Sequence, residues 1–305
     1  MTHPSTATRV VFLGGLGRSG TTLLERLLGE LPGVAPLGEV VHLWARGVLA
    51  GEPCGCGRPF GACPFWSAVG EHAFGGWTQP LAERVLALRR RVDRTRRVLR
   101  IRHPDLDEYV RAYRRVHDAA ARVAGASVVI DSSKHASLAH CLAEGGASIH
   151  VVHVVRDPRA VAHSWRKAVR RPEDGRPMTR WGPARTALHW SAQNAALDLL
   201  ARRDRRGAAD VQVTRLRYED LIAAPEATLT DLAHRLGLRA EFPFVTGSTA
   251  HITTAHTVSG NPMRFAVGPV GLALDESWRS GAHRGLVAAL TWPLRSRYGY
   301  HGVTA

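Results

Sequence analysis

Residues Gly14–Leu24 read GGLGRSGTTLL and follow directly on the apolar run VVFL, Val10–Leu13. From Gly15 to Gly20 the spacing is G-x-x-x-x-G, that of a loop whose backbone N–H groups wrap a phosphate. A strand before such a loop and a helix after it aim consecutive amides and a helix dipole at one anion. VVFL and TTLLERLLGEL supply both. After Gly20 come Thr21 and Thr22, where a nucleotide-hydrolysing loop carries a lysine for the terminal phosphates and a hydroxyl for Mg²⁺. With no lysine there, and a cation earlier at Arg18, the loop suits an anion held without metal-assisted γ-phosphoryl transfer.

Further apolar, β-branched runs lie at Ala126–Asp131, His150–Val155 and Val211–Leu216. They are continuous rather than alternating, which predicts a mostly parallel sheet buried on both faces. Helical patterns fall between them, at 22–31, 80–100, 106–123, 136–144, 183–203 and 227–236. The alternation predicts a three-layer α/β fold with helices on both sides of the sheet. One domain over 1–305 is expected, with a helical and loop insertion at about 45–125 and a C-terminal covering segment at about 250–305. Arg170–Pro183, rich in proline, glycine and charge, reads as a loop over a site;.

A content of 45% hydrophobic and 22% charged residues excludes a disordered chain;. No apolar run approaches the ~20 residues of a membrane span, and no leader pattern opens the chain, so a cytoplasmic protein is expected. The net charge of +15 points to an anionic partner;. The Arg-rich stretch 81–102 resembles a nucleic-acid element, but its Leu and Val spacing fits an amphipathic helix with a solvated Arg face. No aromatic-interleaved patch or reader motif accompanies it, so nucleic acid is not an expected partner.

Three of the four cysteines, Cys54, Cys56 and Cys63, crowd into CGCGRPFGAC. C-x-C-x6-C is not a standard zinc spacing, so the stretch reads as a turn-rich structural loop. Zinc with a histidine such as His72 as fourth ligand is the alternative. Cys141 reads as a small core residue.

RDPRAVAHSW, Arg156–Trp165, follows the strand HVVHVV. Arg156 falls at the strand's C-terminal end, where α/β folds bind ligands, and Ser164 lies about two helical turns on. An Arg fork and a hydroxyl suit a second phosphate. Asp157 with Pro158 also makes a helix cap, and both readings can hold.

GRSGTTLL, then VVRDPRAVAHSW, then RYEDL, in that order over roughly residues 9–270, resemble the sulfotransferases that use PAPS, 3′-phosphoadenosine-5′-phosphosulfate. The resemblance implies a P-loop-like sulfotransferase fold, with PAPS as co-substrate, PAP as product, and no metal. It implies that Gly17, Arg18, Ser19, Gly20, Thr21 and Thr22 hold the 5′-phosphosulfate, that Arg156 and Ser164 hold the 3′-phosphate, and that Tyr218 lies near the adenine. HTVSGNPMRF, His256–Phe265, sits where cytosolic members carry an R-K-G segment over the nucleotide, although it does not match that motif. Arg264 is its candidate 3′-phosphate ligand.

Sulfuryl transfer to a hydroxyl needs a base and cations on the developing charge. Glu39, in PLGEVVHLW, matches the G-E pair of tyrosylprotein and several bacterial members. Partial desolvation there would raise its pKa. His135 is the second candidate: cytosolic members place K-T-H-L-P after the second strand, where this chain has Asp131, Ser132 and Ser133, with His135 displaced by two. Lys134 or Arg18 would stabilise the leaving phosphate. The expected partner is a hydroxylated acceptor (small molecule, sugar or lipid); Trp44, Trp66, Trp165, Trp181 and Trp190 are candidates for its wall, with core packing the alternative. Homo-oligomerisation stays open. Two other readings stand beside this one: a P-loop small-molecule kinase with Asp131 as its Mg²⁺ carboxylate, and a basic nucleic-acid-binding protein.

Overall fold

The computed structural model describes residues 8–99, 101–171, 175–205 and 211–301. The first apolar run forms strand β1 (Arg9–Gly14), and its alternate side chains enter two different cores. Val10 and Phe12 face one side, Val11 and Leu13 the other, which is why the run carries no polar alternation;. β2 (Val34–Gly38), β3 (Val128–Lys134), β4 (Ile149–Val155) and β5 (Val211–Arg217) complete a five-stranded sheet of order β2-β3-β1-β4-β5, parallel throughout.

Helix α1 (Thr21–Leu28) packs Leu23, Leu24, Leu27 and Leu28 on one face of the sheet. The other face carries α2 (Pro64–Phe74), α3 (Gln79–Val92) and α4 (Leu106–Ala124), with α5 (Ala136–Glu144) beside them. α6 (Pro158–Arg166) follows β4, and α7 (Pro183–Asp204) returns the chain to β5. α8 (Tyr218–Ala223) and α9 (Pro225–Leu236) join α1 on its side, over a small antiparallel sheet of β6 (Val245–Thr246), β7 (Thr249–Ile252) and β8 (Gly268–Gly271).

The fold class expected from the sequence is the one observed, with four differences in detail. β2 was not among the expected strands: Val34-Ala35-Pro36-Leu37-Gly38 carries a proline that a central strand excludes, and here it occupies the sheet edge;. β3 continues to Lys134 rather than ending at Asp131. The basic helix, expected over 80–100, ends at Val92, because Asp93 leaves helical geometry and its carboxylate accepts the Tyr109 hydroxyl at 2.9 Å. α1 stops at Leu28, short of the expected Leu31, with Gly29 as its C-cap. The basic helix is amphipathic: Ala82, Val85, Leu88 and Val92 are buried, and Arg84 pairs with Glu108 at the surface.

One segment near the C-terminus reaches back to the sheet edge. Val258 pairs with Gly38, donating to the Leu37 carbonyl and accepting from the Glu39 N–H, each at 2.8 Å. No helix among the described residues is long and apolar enough to cross a membrane.

Candidate active site

The loop between β1 and α1 is shaped by residues in left-handed backbone. Gly20 is the N-cap of α1 at φ 91°, and a Cβ on it would stand 2.2 Å from Cδ2 of Tyr218. Arg18 takes φ 75°, a conformation a non-glycine residue holds only when its surroundings impose it;. The first helical bond runs from Leu24 N–H to the Gly20 carbonyl (3.0 Å), and no side chain caps the helix. The amides of Thr21, Thr22 and Leu23 therefore open toward the loop, with the positive end of the helix dipole behind them. Ser19, Thr21 and Thr22 are buried at this junction.

Arg156 stands at the end of β4 and donates to the Arg18 carbonyl at 3.1 Å, while its guanidinium lies over the Tyr218 ring, 4.5 Å from the centroid. Its Nε is buried with no partner among the described residues, a donor that an anion would satisfy. The adjoining Asp157 side chain caps α6 by accepting from Arg159 N–H at 2.8 Å, with Pro158 at the first helical position. The cap and the arginine fork thus coexist. Ser164 lies half-buried on α6 beside Trp165, whose indole N–H donates to the Gly17 carbonyl at 2.9 Å. A cavity of about 230 Å³, lined by Arg156, Arg217, Glu219 and Tyr300 among others, opens beside this group.

The second cluster gathers at the ends of β2 and β3. The Glu39 carboxylate is in contact with Lys134 Nζ and lies 3.5 Å from His42 Nε2. Lys134 also donates to the Ser132 carbonyl at 3.2 Å and adopts φ 69°. Its own carbonyl accepts from the Gly15 N–H at 3.1 Å, which ties this cluster to the loop. Burial pushes the Glu39 carboxyl up, but the Lys134 ammonium, by its charge and its hydrogen bond, outweighs it together with the adjoining His42 and His135 imidazoles, and the net shift is downward. The expectation of a raised Glu39 pKa is thereby corrected: desolvation alone predicts a rise, and the paired lysine reverses it.

His42 and His135 meet edge to face, 5.9 Å between centroids. Burial is the main cause that lowers both imidazoles, His42 to about 3, so both are neutral at neutral pH. Glu25, fully buried on α1, accepts from Gly38 N–H at 2.6 Å and from the Ser132 hydroxyl at 2.7 Å, and burial raises its pKa to about 7. Asp131 is committed internally: His117 Nε2 lies 3.1 Å from one oxygen, and the other accepts the Ser133 N–H (2.9 Å) and the Ser133 hydroxyl.

The structure thus brings together Gly17, Arg18, Gly20, Arg156 and Tyr218 in one group and Glu39, Lys134 and His135 in another. Arg264 is elsewhere engaged: it is buried, donates to the Thr257 carbonyl at 3.1 Å and packs on Phe265. Trp44, Trp66 and Trp190 are core residues, whereas Trp165 and Trp181 stack at 3.9 Å between centroids, next to Arg18. Met178, from the 170–183 loop, contacts the Arg18 guanidinium at 3.5 Å. His42 and Glu25 were not singled out in the sequence. The spacing Glu39-x-x-His42 was an available signal for the first; nothing local marked the second.

The sequence model of the sulfotransferase family matches residues 79–242, more than half of the chain. Among solved structures, the sulfotransferase domain from the Synechococcus PCC 7002 olefin synthase is similar over 98% of this chain and 98% of that one, with 18% identity and a TM-score of 0.50. The sulfotransferase domain from the curacin biosynthetic pathway is similar over 98% and 99%, at 16% identity and a TM-score of 0.50. At these identities the likeness is one of fold. No curated protein matches the chain.

Proposed function

As this chain belongs to the sulfotransferase family, we propose that it moves the sulfuryl group of PAPS to a hydroxyl of an acceptor and releases PAP. The convergence of three elements supports this reading most: the uncapped start of α1, the partly unpartnered Arg156 guanidinium, and the Glu39–Lys134 pair joined to the loop through Gly15. The first two suit a ligand with two separated anionic groups, and the third suits proton removal beside one of them.

The loop amides, Arg18, Ser19, Thr21 and Thr22 would hold the 5′-phosphosulfate; Arg156 and Ser164 would hold the 3′-phosphate, with Tyr218 at the nucleoside. PAPS supplies the electrophilic sulfur and, in its 5′-phosphate, the leaving group. Glu39 accepts the acceptor hydroxyl's proton as the new oxygen–sulfur bond forms. While paired with Lys134 it is a weak base. Drawn toward a polyanion at the loop, the Lys134 ammonium would leave the carboxylate, whose burial then raises its basicity;. The same ammonium would offset charge on the oxygen of the breaking bond. His135, neutral and close by, is the second candidate base.

The kinase reading loses its Mg²⁺ carboxylate, since both Asp131 oxygens are engaged inside the protein. Calorimetry with PAP in Mg²⁺-free buffer, followed by transfer from radiolabelled PAPS across a panel of hydroxylated acceptors, tests the proposal. Micromolar PAP binding without Mg²⁺ and label on an acceptor are expected. Mg²⁺-dependent ATP binding without PAP binding would establish the kinase instead, and tight, steeply salt-dependent DNA binding without PAP binding the nucleic-acid reading.

A further inference from the structure

Cys54, Cys56 and Cys63 converge on a fourth residue from the far end of the chain, His256. One ligand atom from each of the four lies within 4.8 Å of every other. Cys56 Sγ is 3.8 Å from Cys63 Sγ, and His256 Nδ1 is 3.7 Å from Cys54 Sγ and 3.3 Å from Cys63 Sγ. A tetrahedron with Zn–S of about 2.3 Å and Zn–N of about 2.0 Å has edges of about 3.5–3.8 Å. The 3.8 Å sulfur separation is far from a disulfide's ~2.05 Å, and all four cysteines are free;. We propose that Cys54, Cys56, Cys63 and His256 bind a structural zinc ion.

The surrounding chain is built for that convergence. Cys54 starts a tight turn, Gly57 N–H donating to its carbonyl at 2.8 Å, which turns the Cys56 side chain back toward Cys54. Gly55 N–H donates to the Thr257 carbonyl at 2.8 Å. A Cβ at Gly55 would stand 2.4 Å from Thr257 Oγ1 and 2.5 Å from the Ala255 carbonyl, so only glycine lets the two segments approach. Cys63 is the N-cap of α2, and the next residue but one, Phe65, stacks on the His256 ring at 5.1 Å and 13°, fixing its plane. His72, the ligand considered from sequence, is exposed on α2 and outside the four. Soft thiolates with one imidazole select zinc among abundant divalent ions. Binding would send three thiol protons to solvent, leaving one net negative charge that the neighbouring Arg58 offsets.

The ion would join segments 193 residues apart. Two residues past His256, Val258 holds the Glu39 backbone at the sheet edge. The site would therefore pin the insertion to the strand end that presents Glu39. The expectation of no metal is revised for a structural ion; the transfer chemistry itself is assigned none, and the zinc proposal stands independently of it.

Elemental analysis of the full chain, expressed in zinc-supplemented medium and purified without chelator, should give about one zinc per chain. His256→Ala and Cys63→Ser should lower that content at least about tenfold, whereas His256→Cys and His72→Ala should retain it. Co²⁺ added to reduced, metal-stripped protein should give the visible and thiolate charge-transfer bands of a tetrahedral sulfur site, lost in His256→Ala. Zinc absent from the wild type together with no such bands overturns the proposal. So does a Cys56–Cys63 disulfide in protein alkylated at lysis, or full zinc retention by Cys63→Ser and His256→Ala.

Discussion

Lys134→Met tests whether one ammonium group sets the charge state of Glu39. The two side chains are 11% and 14% exposed, so the pair is largely shielded from water. After the substitution the carboxylate keeps His42 at 3.5 Å, but that imidazole, lowered to about 3, is neutral and supplies no compensating charge. A buried charge stripped of its partner costs about 3–5 kcal/mol. Glu39 escapes the cost by taking a proton, and this makes the loss depend on pH. In the wild type the folded pKa lies below the ordinary 4.5, so the stabilisation is present above 4.5 and lost as pH falls through the folded value;. In the variant, burial acts nearly unopposed and the folded pKa rises above 4.5. Glu39 then costs little in acid and progressively more as pH rises through its new value. The melting temperature should fall less near pH ~5, where only the lost pairing counts, than near pH ~8, where the drop should be roughly 6–20 °C, taking about 2–4 °C per kcal/mol for a chain of this size. Loss of the bond to the Ser132 carbonyl adds about 1 kcal/mol at every pH;. Calorimetric melts across that range, with Lys134→Met/Glu39→Gln as the reference, measure the effect; the double variant should show little of the slope. An equal loss at every pH, or no added loss in alkali, would falsify the claim that Lys134 holds Glu39 ionised.

Glu39→Gln should lower sulfuryl transfer by about 10²-fold or more while PAP affinity changes less than about twofold, as separate rate and binding measurements would report; full turnover would transfer the base role to His135. Arg156→Ala should weaken PAP binding by about 10–100-fold, the loss of about 1.5–3 kcal/mol expected for hydrogen bonds to a charged group, and Arg156→Lys should restore only part of it by calorimetry. Gly20→Ala, whose Cβ would fall 2.2 Å from the Tyr218 ring at φ 91°, should abolish PAP binding and lower the melting temperature. Glu25, raised to about 7 by burial, contributes stability below its ordinary value that is lost as pH rises through 7;. Glu25→Gln should therefore be less destabilised than the wild type between pH ~5 and ~8, by about 1–3 kcal/mol in melts across that window.

The features legible in the sequence are those whose physics is local. A both-faces-buried run, a glycine loop and a helix start lie within twenty residues of one another, and RDP carries its cap in three. Features set by partners distant in sequence were not legible. β2 contains a proline and five residues, and only its place at the sheet edge makes it a strand. The end of α3 depends on a Tyr109 hydroxyl that reaches Asp93 from another helix. Glu39 and Lys134 were each singled out, but their contact spans 95 residues, and without it burial alone gives the wrong sign for the carboxyl. The fourth member of the cysteine cluster was sought nearby at His72, whereas it comes from His256.

The lysine missing after Gly20 has a counterpart in space. β3 pairs with β1 up to Gly14 and Lys134, after a register shift just before the loop. Left-handed backbone at Lys134 lets its carbonyl receive the Gly15 amide while its ammonium reaches Glu39. A loop lysine would place its charge permanently on the anion. Supplied from the neighbouring strand, the charge is held by the Glu39 carboxylate, and on the proposed function a bound polyanion would compete for it. Under the proposed function, that arrangement would couple arrival of the donor to release of the base. If the coupling operates, PAP should draw Lys134 from Glu39 and raise the Glu39 pKa, so PAP binding should take up protons near the raised value and Lys134→Met should remove that linkage. Calorimetry in buffers of differing ionisation enthalpy reads the proton count directly; an uptake unchanged by Lys134→Met would leave Lys134 a structural partner of Glu39 alone.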